Sequence, residues 1–243
     1  MVSANIATSF FLPVFLALSA FAQGQPAPLS AEQRGDILMA RKMYREAIDV
    51  YKDGPADSAI LANKIGIAYH QMMQVDQARK QYEKAVKLNP KYSEAINNLG
   101  TIHYSKKNYR RAISQYNKAL KVSPNSASIY SNLGTAQFAR KRYEEASESY
   151  QKALSLDPEV FEHRSTYGTL LQERSVDEKA RFHYYLAKTY ARAGNDERAI
   201  QYIRMALEEG FKERQKLMEA PEFAKLRESV AFKELMASEP RVL

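Results

Sequence analysis

The sequence predicts an all-α fold, a solenoid of stacked helix pairs, and three observations carry that prediction. The chain of 243 residues repeats its own chemistry every 34 residues, small and large residues hold fixed offsets within each period, and each full period closes on a proline. Composition agrees, because 45% hydrophobic and 26% charged residues with only nine Gly and nine Pro is ordinary for a folded chain and too apolar for disorder.

In chain order, the first segment stands apart. No ionisable side chain precedes Glu32, and Ile6 to Ala22 form an apolar run broken only by Thr8, Ser9, Pro13 and Ser19. The run ends in Ala20-Phe21-Ala22, with small residues at both positions an A-x-A cleavage site requires, so residues 1–22 are expected to be a signal peptide cut before Gln23. The lack of Lys and Arg ahead of the run makes an uncleaved N-terminal membrane anchor the alternative. Either reading expects an exported protein, periplasmic or secreted, or anchored and facing the periplasm. Without Cys there is no disulfide and no thiolate metal site.

From residue 28 the repeat sets the organisation. Three full periods start at Ala59, Ser93 and Ala127. Ile65-Gly66, Leu99-Gly100 and Leu133-Gly134 share one offset, Ala78, Ala112 and Ala146 the next, then Tyr82, Tyr116 and Tyr150, then Ala85, Ala119 and Ala153. The periods close on Pro90, Pro124 and Pro158, which cannot continue a helix. A shortened copy precedes them with Gly35, Tyr44, Ala47 and Tyr51, and a later one begins at Ala180 with Leu186-Ala187, Tyr190, Gly194, Ala199 and Ala206-Leu207, Phe211 standing in place of proline. The expected repeats are therefore 28–58, 59–92, 93–126, 127–160 and 180–213. Residues 161–179 break the register; Tyr167-Gly168 mimics the Leu-Gly pair, so 161–174 read as a lone first helix followed by a loop around Ser175-Val176-Asp177, with a kink in the stack there.

These residues resemble the tetratricopeptide repeat, whose signature is a Leu-Gly pair and Tyr in a first helix, Ala and an aromatic residue in a second, then Pro. The resemblance implies helix-turn-helix units stacked into a right-handed superhelix, with the first helices lining a concave face that binds a peptide or protein segment. The chain departs from the family in having no Trp for its early aromatic, and in a first repeat about three residues short near Gly54-Pro55. The physics agrees with the resemblance: small residues at the Gly and Ala offsets let helices approach closely while Tyr and Leu fill between them, and each pair needs its neighbour to bury its apolar face. Beyond residue 213, Phe223, Leu226, Phe232 and Leu235 fall on two short helical stretches opened by Pro221 and separated near Ser229, expected to cap the last repeat across 214–243.

No enzyme, cofactor or metal is expected. The four histidines, His70, His103, His163 and His183, form no i, i+4 pair, and no nucleophile motif or glycine-rich phosphate loop occurs. The resemblance implies a protein-interaction scaffold whose groove is lined by Asn63, Ile67 and His70, then Asn97, Asn98, Thr101 and Tyr104, then Ser131, Asn132, Thr135 and Phe138. Asn amides suit an extended peptide backbone, and Tyr104 and Phe138 offer apolar contact area. The alternative for Asn98 and Asn132 is that they brace neighbouring helices. Chaperone-binding members of the family grip a terminal carboxylate with Lys and Arg; Ser128 and Asn132 hold the matching offsets here, so that recognition is not expected.

Charge adds a second candidate surface. Residues 79–121 carry eleven basic residues and only Glu83 and Glu94, whereas the whole chain has a net charge of +8. Arg79, Lys80, Lys84, Lys87, Lys106, Lys107, Arg110, Arg111, Lys118 and Lys121 fall mostly on second helices and turns and are expected to face outward. Such a face suits an acidic protein, an anionic membrane or an envelope polymer. The expected function is a cell-envelope adaptor holding a protein segment in the groove, with a tether on an anionic surface as the alternative. Nucleic acid is not an expected partner, because no aromatic stacking platform interleaves these charges.

Overall fold

The computed structural model describes residues 28–161 and 176–237. The expected signal segment and residues 162–175 of the expected lone helix and loop, with His163, lie outside the described residues, whereas Val176 and Asp177, expected in the loop, are helical. Among the described residues ten helices form five pairs: α1 (Ala31–Ala40) with α2 (Tyr44–Lys52), α3 (Ala59–Gln71) with α4 (Val75–Leu88), α5 (Ser93–Ser105) with α6 (Tyr109–Val122), α7 (Ala127–Ala139) with α8 (Tyr143–Leu156), and α9 (Val176–Arg192) with α10 (Asp196–Glu208). A tail of α11 (Arg214–Glu219), two 3-10 turns at Pro221–Phe223 and Leu226–Glu228, and α12 (Val230–Ala237) follows, and no strand occurs among the described residues. Each pair packs on the next, so the first helices form one layer and the second helices the other.

One backbone device turns every first helix into its second. Lys42, Met73, Lys107, Lys141 and Gly194 share one offset, and all have a positive φ of 59° to 76°. At Lys107 its own N–H donates to the Tyr104 carbonyl at 2.7 Å, and the next N–H, of Asn108, reaches back to the His103 carbonyl at 2.8 Å. This pairing consumes the last carbonyls of the helix and reverses the chain within three residues. Glycine, the residue best suited to that conformation, fills the position only in the fifth pair.

Within each of the first four pairs a ring lies on a bare helix backbone. A Cβ added to Gly35, Gly66, Gly100 or Gly134 would stand 2.1 to 2.6 Å from the ring of Tyr51, Tyr82, Tyr116 or Tyr150, all of which are at most 1% exposed. In the fifth pair both partners change together. Ala187 takes the glycine offset, Ile203 takes the tyrosine offset, and both are fully buried. The alanines Ala47, Ala78, Ala112, Ala146 and Ala199, all at 0% exposure, provide the second close approach.

The fifth pair packs against the fourth through α8 and α9. α9 begins at Val176, ahead of the register start read at Ala180, and Phe182 sets its ring edge-on to Phe138 at 5.5 Å and to Tyr150 at 5.7 Å. Phe161 also reaches the junction, edge-on to Tyr150 at 5.4 Å. α10 ends at Glu208, Gly210 just beyond it has a φ of 84°, and Phe211 in the proline offset stacks on Tyr184 at 4.7 Å. Leu217, Phe223, Leu226 and Phe232 are buried in one core with α9 and α10. The Ser229 hydroxyl accepts from the Phe232 N–H and starts α12. Glu222, its side chain 6% exposed, accepts from Arg192 and lies 3.3 Å from the Lys188 ammonium, fastening the tail to α9.

Candidate peptide-binding face

The layer of first helices is where the sequence places a groove, and the structure redistributes the residues along it. Asn63 and Asn98 are fully buried, and Asn97, Thr101, Tyr104, Asn132, Thr135 and Phe138 are between 2% and 9% exposed. Ile67, His70 and Ser131 keep intermediate exposure, and burial lowers the pKa of His70. The expectation of an open polar lining made of these side chains is therefore corrected: they form the wall between helices.

Their hydrogen bonds explain the burial. The Asn98 amide donates to the Asn63 carbonyl oxygen at 2.9 Å, and the Asn132 amide donates to that of Asn97 at 3.0 Å. Both bonds cross from one repeat to the next, so the bracing reading of Asn98 and Asn132 describes their geometry. Thr101 and Thr135 sit against the hydroxyls of Tyr116 and Tyr150, at 3.4 and 3.3 Å, and so serve the ring-on-glycine contact from the inner side. Tyr104 packs on Tyr109 at 5.2 Å, and Phe138 meets Tyr143, Phe182 and Tyr185.

A pocket of about 300 Å³ opens at the N-terminal end, between α1, α3 and α5, lined by Asp36, Met39, Tyr51, Lys64, Ile67, Tyr92 and Glu94. Asp36 accepts from the Tyr51 hydroxyl at 2.7 Å and from the Lys64 ammonium at 2.6 Å, and Lys64 also pairs with Glu32 at 3.0 Å. Burial opposes the Lys64 charge, but these carboxylates lift its pKa above the ordinary value. Across the pocket, Glu94 accepts from Asn63 at 3.0 Å and from the Tyr92 hydroxyl at 3.2 Å. Burial and the neighbouring Glu94 push Tyr92 up to about 12, so it stays a donor. Two carboxylates, Asp36 and Glu94, thus line the pocket with one ammonium beside the apolar Met39 and Ile67, while Glu32 pairs with that ammonium from outside the lining.

The sequence reading named Ile67 but missed the rest. A usable signal was present: Glu32, Asp36 and Met39 stand 31 residues before Asn63, Ile67 and His70, the period shortened by three. The far end of the same face is different in kind. Tyr143 and Tyr185 stack at 4.8 Å, and the Arg181 guanidinium donates to the Tyr143 hydroxyl at 3.1 Å.

The basic residues are on the outside. Lys80, Lys84, Lys87, Lys106, Lys107, Arg110, Arg111, Lys118 and Lys121 are all exposed, while Arg79 is half-buried. Lys106 pairs with Asp76 at 2.6 Å, and Arg79 with Glu83 at 3.6 Å. No group of three His, Cys, Asp or Glu side chains able to hold a metal ion occurs among the described residues, nor any helix long and apolar enough to cross a membrane.

Paired helices sharing ring-on-glycine contacts, stacked in two layers with a pocket on the first-helix layer, define a helical-repeat scaffold for protein–protein interaction. The chain belongs to the tetratricopeptide repeat family: family models of that description match residues 57–125 and 93–159, and a second such model matches 164–211. It is accordingly a right-handed superhelical solenoid, in a class whose typical work is holding other proteins and not catalysis. It is 37% identical over 83 residues to the heat-shock protein cognate co-chaperone sgt12 of Aspergillus fumigatus, a match spanning 32% of this chain and 24% of that protein. The chain thus spans about a quarter of that curated relative. Among solved structures it is similar to a crystal structure of MamA, with a TM-score of 0.50 and 21% identity over 74% of this chain and 96% of that one. MamA 41-end from Desulfovibrio magneticus RS-1 matches with a TM-score of 0.51 and 20% identity, over 75% and 94%. At such identities these two likenesses speak to the fold alone.

Proposed function

We propose that the protein is an exported adaptor of the cell envelope that holds a segment of another protein against its first-helix face, anchored by a basic side chain in the pocket between α1, α3 and α5. The observation that carries this reading is the composition of that pocket. Two lining carboxylates, Asp36 and Glu94, outnumber the one ammonium, which is itself already paired with Asp36 and Glu32, and Met39 and Ile67 supply an apolar wall for the methylene stem of an incoming Lys or Arg. Export rests on the apolar run and Ala20-Phe21-Ala22 at the N-terminus.

The test is a peptide array incubated with wild-type protein and with Glu94→Lys and Ile67→Asp. The reading expects captured peptides to share a Lys or Arg flanked by apolar residues, and expects both variants, folded by circular dichroism, to lose at least about ten-fold in affinity, the equivalent of one charge-assisted contact. Peptides lacking any basic residue that bind equally well, or variants that bind like wild type, would sink it. Fractionation of cells, with mass measurement of the mature N-terminus, tests export; a chain beginning at Gln23 outside the cytoplasm is the expected result.

A further inference from the structure

The opposite layer carries its own unit of chemistry, independent of the pocket. On α4 and α6, Lys84 and Lys118, Lys87 and Lys121, and Leu88 and Val122 are pairs 34 residues apart, so they stand at equal offsets on neighbouring second helices. None of the four lysines makes an ion pair or hydrogen bond among the described residues, and α6 contains no acidic residue. Leu88 and Val122 are each 39% exposed, and each lies four residues after a lysine, on the same helix face. The unit weakens in the fourth repeat: Lys152 and Leu156 keep two of the offsets, but α8 carries Glu144, Glu145 and Glu148 on its earlier turns and Ser155 in the offset of Lys121, so its net charge is negative.

We infer that this outer face docks on an anionic lipid bilayer. The lysines meet headgroup phosphates, and Leu88 and Val122 enter the boundary between headgroups and acyl chains. Charge alone would suit any polyanion. The apolar pair selects lipid, because exposed Leu and Val side chains between lysines are stabilised only where an apolar phase adjoins the anionic layer, while lysine stems bridge the two. Location supports it as well. The unit sits on the second and third of five repeats, on the layer away from the first-helix face, so a chain lying on a membrane keeps its peptide pocket open to partners.

The chain has no Trp, which allows a local reading in the full-length protein. Leu88→Trp places one fluorophore in the unit, so its emission reports this face and not the N-terminal apolar run. The protein is titrated with vesicles of equal parts phosphatidylglycerol and phosphatidylcholine, with pure phosphatidylcholine vesicles, and with heparin. The expected result is a blue shift with the anionic vesicles alone, and a roughly thirty-fold weaker response when Lys84→Gln and Lys118→Gln are added. Circular dichroism of each variant guards against misfolding, and Val122→Trp in otherwise wild-type protein repeats the reading from the neighbouring helix. Co-sedimentation with vesicles without a shift at either Trp assigns membrane contact to another part of the chain and overturns the proposal. Equal shifts with neutral vesicles, or binding to heparin without any shift on lipid, overturn it too.

Discussion

The ring of Tyr116 rests on the bare backbone of Gly100, so close that a Cβ on Gly100 would lie 2.5 Å from the ring edge. Tyr116 is fully buried, and burial raises its hydroxyl pKa above the ordinary value. Gly100→Ala should therefore cost roughly 1–2 kcal/mol, the overpacking penalty outweighing the better helix propensity of Ala. The fifth repeat shows the compensated pair, Ala187 with Ile203. Gly100→Ala combined with Tyr116→Ile should cost less than the sum of the two single changes. Additive costs in urea unfolding would refute the coupling.

Met73 occupies the left-handed turn position of the second repeat, with φ of 59° and a side chain mostly in water at 69% exposure. An L-residue there costs about 1–2 kcal/mol, and Gly returns part of that gain through its larger unfolded-state entropy. Met73→Gly should stabilise the protein by about 0.5–1 kcal/mol, read as a higher urea midpoint at unchanged slope. A lower midpoint would show that the turn is not strained.

Asn98→Ala should lower stability before it lowers any affinity. The change removes the donor to Asn63 inside a fully buried contact between the second and third repeats, at a cost of roughly 1–3 kcal/mol. Thermal unfolding checks this. An unchanged midpoint with weakened peptide binding would return Asn98 to the recognition surface.

Burial lowers the pKa of His70 from its ordinary 6.5, and burial followed by Arg111 does the same to His103. In the unfolded chain both titrate near the ordinary value, so on acidification the unfolded state takes up protons the folded state resists. The stability held above about pH 6.5 should fall progressively as the pH drops below that value, and His70→Gln should flatten that fall. Urea midpoints measured above and below that pH decide; equal losses in wild type and variant would remove His70 as a cause.

The two surfaces differ in how far they could be read in advance. The outer lysines were legible because an unpaired charge on a helix exposed to water declares itself in the pattern: Lys84 and Lys118 recur at one offset with no acid beside them on α6. The first-helix face was not legible in the same way. Asn63 and Lys64 are neighbours on α3, both polar, yet Asn63 is fully buried while Lys64 lines the pocket. Which of them faces the opening depends on the angle at which α5 crosses α3, and nothing in the local pattern encodes that angle.

By itself, then, the sequence determined the period, the five helix pairs and the close approach within each, because a glycine under a buried ring and an alanine between helices are steric requirements met residue by residue. Tertiary structure alone decided that the asparagines brace successive repeats while Asp36, Lys64 and Glu94, from three different helices, converge on one pocket. The physical reason is distance: contacts within a pair are set by local spacing, whereas the face of the stack is set by rotations between repeats that accumulate from many weak packing preferences.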